Sequence, residues 1–116
     1  MTQDIAEFMN ERLTDSSVVA WGAYYSSTRS YIECRKDWFT SEQVEQTLHH
    51  LVASANNLTF HRIDPVRLCW VYDRVRIVLA LRPDGECLGI VCENRPGQAN
   101  DEIEQVLKEY LARPQT

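Results

Sequence analysis

The side chains with chemical potential in this chain are four cysteines, three histidines and a scatter of carboxylates. Their spacing decides what is open to them. Cys34, Cys69, Cys87 and Cys92 each fall in an apolar, strand-like stretch. A zinc site wants two ligands roughly two to four residues apart, twice over. Cys87 and Cys92 are five positions apart, and on a strand that turns them to opposite faces. Only Cys34 has a basic neighbour, Arg35, of the kind that makes a thiol reactive. The opening residues, Met1 to Phe8, carry acids where a secretory leader would be basic and then apolar, so the protein is expected to be cytoplasmic and its cysteines structural free thiols. His61 stands beside Arg62 and Asp64 with no second catalytic group in view, and reads as a surface or capping residue. There is no Gly-rich phosphate loop, nucleophile elbow or paired-His motif. The expectation is a non-enzyme, with no catalytic, cofactor-binding or metal-binding residues.

Composition narrows the class further. A chain of 116 residues, 44% hydrophobic and 25% charged, can form a single globular domain over residues 1–116. Its net charge of -5 opposes nucleic-acid binding, which draws affinity from basic side chains that displace counterions. The longest apolar run, Ile77 to Leu81, falls far short of the ~20 residues that span a bilayer, so no membrane partner is expected.

Such a chain must act through its surfaces, and the elements that hold them follow from periodicity. Ile5, Phe8, Met9 and Leu13 form one stripe of a helix. Val18 to Tyr25 is apolar on both alternating sets and reads as an interior strand. After a turn at Ser26-Ser27-Thr28, the segment from Ser30 to Arg35 sets Ile32 and Cys34 against Tyr31, Glu33 and Arg35. That pattern predicts an edge strand with one face in water. Phe39-Thr40-Ser41-Glu42-Gln43-Val44 carries a capping box and a hydrophobic staple. A helix begins there, with Val44, Leu48, Leu51, Val52, Ala55 and Leu58 as its stripe, weakening at Asn56-Asn57. Three strands follow at Val66–Tyr72, Val75–Leu81 and Glu86–Glu93, joined by Asp73-Arg74 and by Arg82-Pro83-Asp84-Gly85. Asn100 then caps a last helix with the stripe Ile103, Val106, Leu107, Tyr110 and Leu111.

The two strands apolar on both faces belong side by side at the centre. This gives an α+β fold of element order αββαβββα. Its five-stranded antiparallel sheet has order 2-1-5-4-3, with the middle helix on one face and the terminal helices on the other. From about residue 4 to residue 112, this length, element order and burial pattern resemble the Roadblock family of dynein light chains and their bacterial relatives, a profilin-like fold. The resemblance implies a non-enzymatic scaffold, a homodimer or heterodimer joined through the middle helix and the strand after it, often regulating a small Ras-like GTPase. Here that interface would hold Leu68, Trp70 and Tyr72 on the strand. On the helix face turned away from the stripe it would hold Gln46, His49, His50 and Ala53. Unpaired edge backbone is a liability that a two-fold mate removes, and aromatic anchors dominate such contacts. Two other readings stay open. One is a small acidic chaperone of the protein-secretion type, whose pattern places three strands before the middle helix where this chain has two. The other is a sensor holding a small molecule beneath a helix.

Overall fold

Hydrophobic stripes at helical and strand periods are satisfied by two layers of helix on a single sheet. The structure, a computed structural model, describes residues 2–14, 16–26, 29–37, 39–62, 66–82, 85–94 and 101–112. Its elements are α1 (Thr2–Arg12), β1 (Val18–Ser26), β2 (Arg29–Cys34), α2 (Ser41–Phe60), β3 (Arg67–Val71), β4 (Val75–Leu81), β5 (Cys87–Glu93) and α3 (Asp101–Ala112). All strand pairs are antiparallel, and the order across the sheet is β2-β1-β5-β4-β3, as the burial pattern of the sequence predicts.

Alternation along the central strands sends side chains into two cores. Trp21, Ala23, Val78, Ala80, Leu88 and Ile90 face Ile5, Met9 and Leu13 of the first helical stripe and Ile103, Val106, Leu107 and Tyr110 of α3. On the other face Val19, Ala20, Tyr24, Ile77, Leu79, Cys87 and Val91 meet Val44, Leu48, Leu51 and Ala55 of α2. Cys87 and Cys92 accordingly lie in different cores. The terminal helices thus share one face and α2 holds the other alone.

The capping box forms as its sequence requires: Gln43 N–H donates to Thr40 Oγ1 at 3.1 Å and Thr40 N–H to Gln43 Oε1 at 3.0 Å. Phe39 packs against the same cluster as Val44. The close fit of α2 on the sheet depends on two glycines that face each other across β1 and β5, Gly22 and Gly89. A Cβ on either would lie 2.7 Å from a methyl of Leu48, so only hydrogen at both positions lets that side chain descend between the strands. Gly85, at φ +93, supplies the positive φ that the turn between β4 and β5 requires.

Three sequence expectations need correction. The Asn56-Asn57 pair does not end α2, which continues to Phe60, because buried Ala55 and half-buried Leu58 keep the stripe in contact across two solvent-facing amides. Tyr31 does not face open water: its ring lies 5.3 Å from that of buried Trp21, while Ile32 packs toward α2, so β2 is covered on both faces. Finally, of the four cysteines only Cys87 and Cys92 are buried, whereas Cys34 and Cys69, on the two edge strands, are exposed. The Asn100 cap, the Ser27-Thr28 turn and the Arg113-Pro114 stop lie outside the described residues.

Candidate interaction surface

An edge strand in an antiparallel sheet turns alternate peptide groups inward to its neighbour and outward to solvent. In β3 the inward set is fixed by two hydrogen bonds that flank the strand: Leu81 N–H to Val66 C=O at 2.8 Å and Tyr72 N–H to Val75 C=O at 2.9 Å. Leu68 and Trp70 share that parity and face β4 through Leu79 and Ile77. Arg67, Cys69 and Val71 therefore hold their N–H and C=O groups on the open edge.

The same alternation splits the side chains. Leu68 and Trp70 are half-buried and pack against the α2 core, which supports part of their predicted role and part of the blander one, since they cover the protomer's own interior. Tyr72, just past the strand, is 46% exposed. Arg67, Cys69 and Val71 are exposed on the opposite face, beside α3. A shallow groove there is lined by Arg67, Leu68, Cys69, Arg76, Val78 and Glu104. Arg67 pairs with Glu104 across it. Arg76 reaches only the Cys92 sulfur, at 3.9 Å, and its Nε is buried with no hydrogen-bond partner.

Gln46, His49, His50 and Ala53 all lie exposed on the outer side of α2, as their helical spacing requires. His49 leans toward β1, with its ring 6.4 Å from that of Tyr24, whose hydroxyl donates to the Glu45 carbonyl. These residues and the β3 set thus occupy separate parts of one protomer. Sequence reasoning missed Phe60, Val66 and Val71, which at 82%, 58% and 67% exposure join Tyr72 as the exposed large hydrophobics of the described residues. The available signal was position: all four fall between the end of α2 and the end of β3.

Chemistry elsewhere is subdued. Burial pushes the Cys87 thiol up to about 12, helped by the Glu86 charge, and pushes the Tyr24 phenol up to about 12, helped by Glu45. Burial and Glu86, which accepts the hydroxyl's hydrogen bond at 3.0 Å, raise the Tyr110 phenol far above its ordinary value. Each of these groups is held in its neutral, unreactive form. Arg82, 8% exposed, donates from Nη1 to the Tyr110 carbonyl at 2.8 Å and ties the last turn of α3 to the β4–β5 connection. Among the described residues His, Cys, Asp and Glu nowhere gather as a potential metal site, and no helix is long and apolar enough to cross a membrane.

No protein-family model matches the sequence, and no curated protein matches it. Among solved structures, Myxococcus xanthus MglB superposes with a TM-score of 0.69 over 93% of this chain and 92% of that one, at 9% sequence identity. At such identity the likeness speaks for the backbone arrangement. With the β2-β1-β5-β4-β3 sheet and its αββαβββα element order, it establishes that this chain has the Roadblock-type, profilin-like α+β fold.

Proposed function

We infer that the chain is a cytoplasmic, dimeric interaction module of the Roadblock type that performs no catalysis itself and regulates a small Ras-like GTPase. Its protomers join through β3, with Leu68, Trp70 and Tyr72, and through the outer face of α2, with Gln46, His49, His50 and Ala53. One observation carries this reading: the exposed large hydrophobics of the described residues, Phe60, Val66, Val71 and Tyr72, are confined to the end of α2 and to β3 and its flanks. Contiguous apolar exposure is uncommon on a monomer and marks a place where another chain sits. The open backbone of β3 adds the hydrogen-bonding half of such a contact. The GTPase comes from the Roadblock resemblance, whose fold the chain shares.

Two features weigh against the other readings. Leu48 fills the space between α2 and the central glycines, so the region under the helix is occupied by the protein's own side chain rather than by a ligand. Two strands, β1 and β2, precede α2, where the secretion-chaperone pattern has three.

Sedimentation equilibrium over a hundred-fold concentration range tests the dimer, and a strict monomer at the highest concentration overturns it. Immobilised protein is then challenged with native cytosol containing GDP or a non-hydrolysable GTP analogue. Nucleotide-dependent retention of a Ras-like GTPase, identified by mass spectrometry, is the expected result, and recovery of an unfolded secretory effector instead would support the chaperone.

A further inference from the structure

The outward peptide groups of β3 belong to Arg67, Cys69 and Val71, and Cys69 is the midpoint of the strand. A two-fold axis that joins two antiparallel copies of a strand must set some residue opposite itself. With the axis at Cys69, Arg67 stands opposite the partner's Val71 and Val71 opposite the partner's Arg67, so every outward group of the strand finds a mate. With the axis at Leu68 or Trp70, either Val71 or Arg67 is left to pair beyond the strand. An axis at Arg67 would set two guanidinium groups against each other, a destabilising arrangement on one sheet face. The chosen register also places Trp70 against the partner's Leu68 on the α2 side, large apolar against large apolar.

We propose that β3 pairs with its own copy about an axis through Cys69, which sets two exposed thiols face to face and lets a disulfide oxidant lock the dimer. This rests on the dimer reading above and specifies its register. Directly opposed residues that exchange hydrogen bonds have Cα atoms about 5.5 Å apart. That lies within the roughly 4.4–6.8 Å range over which a disulfide bridges two backbones. Cys69 is open to solvent in the groove beside α3, so an oxidant can reach it. The reaction is a pair of exchanges with glutathione disulfide. A Cys69 thiolate attacks one sulfur of the oxidant, forming a mixed disulfide and releasing one glutathione thiolate. The partner's Cys69 thiolate then attacks the Cys69 sulfur of that mixed disulfide and releases the second. Two protein thiols are oxidised, one glutathione disulfide is reduced to two glutathione molecules, and the two thiol protons pass to the departing thiolates. The other exposed thiol, Cys34, sits on the far edge of the sheet and serves as an internal control.

The full chain is equilibrated in glutathione buffers of increasing oxidised fraction and resolved by non-reducing denaturing electrophoresis and intact mass, with sedimentation run in parallel. Covalent dimer is expected for the wild type and for Cys34→Ser. Cys69→Ser is expected to lose it while keeping the non-covalent dimer. In a Cys34→Ser, Cys69→Ser background, chains carrying Arg67→Cys and chains carrying Val71→Cys should cross-link when mixed and neither should cross-link alone. A dimer whose Cys69 only takes up glutathione, or whose cross-link runs through Cys34, overturns the register and leaves the dimer standing. A monomer at every concentration overturns the dimer itself.

Discussion

Along β2, Tyr31 lies against Trp21 on one face and Ile32 packs toward α2 on the other, whereas β3 leaves Arg67, Cys69 and Val71 bare beside α3. Both strands close the same sheet. Composition would have ranked them the other way, since Leu68, Cys69, Trp70 and Val71 are more apolar than Ser30, Tyr31, Ile32 and Glu33. The difference lies in where the helices rest. α2 packs on β1 and β2, and the Arg35 guanidinium donates to the Leu13 carbonyl, fastening the end of β2 beneath the first helix. A register slip between Tyr24 and Ser26 further disrupts the β1–β2 ladder near its turn. Bulges and coverage of this kind are how proteins discourage edge pairing. At β3 those devices are missing among the described residues, and a reactive side chain occupies the strand's midpoint.

The largest effect should come from loosening the covered side. Leu48 is fully buried between the two glycines, and Leu48→Ala is expected to lower the unfolding free energy by about 2–5 kcal/mol in denaturant titrations. If the helix were held mainly by the β3 side, the loss would be far smaller.

Alkaline pH attacks the same half. The Cys87 thiol is raised from 9.0 to about 12 and the Tyr24 phenol from 10.0 to about 12, so the folded chain keeps protons that the unfolded chain gives up. Stability from this source is complete below pH 9 and is lost as pH climbs toward 12. The denaturation midpoint should fall steadily over that window, and Cys87→Ala should flatten the slope.

On the open side, Cys69→Asp would oppose two carboxylates across the proposed axis and is expected to weaken dimerisation at least about tenfold, roughly 1.4 kcal/mol, by sedimentation. Cys34→Asp should leave association unchanged. Equal weakening by both would erase the distinction between the edges. The smallest effect is at the start of α2: Thr40→Ala removes the cap and should cost about 1 kcal/mol of stability without altering the dimer constant.

Much of the scaffold was legible because its signals are local. The Thr40–Gln43 box announces α2 within four residues, and the doubly apolar runs of β1 and β5 admit only a central position. Coverage was not legible, because it depends on neighbours far along the chain. Nothing around Tyr31 says that Trp21 will meet it, and nothing around Cys69 says that α3 will stop short of it. Arg82 is the sharpest case: its place beside a turn implies a solvated cation, yet the carbonyl of Tyr110, a distant partner, draws it inside. The interface residues fall between these extremes. The helical period places Gln46, His49, His50 and Ala53 on one outer face, but only tertiary structure reveals Val66 and Val71 as bare.

The paired glycines under Leu48 have an implication for how such a molecule can diverge. That side chain acts as an index pin seated in a two-sided notch, and it fixes both the travel and the rotation of the helix over the strands. A descendant that gains a methyl group at Gly22 or Gly89 must trim the pin in the same lineage or let the helix ride higher. Change at these interior sites is therefore coupled to the position of an outer surface none of them touches.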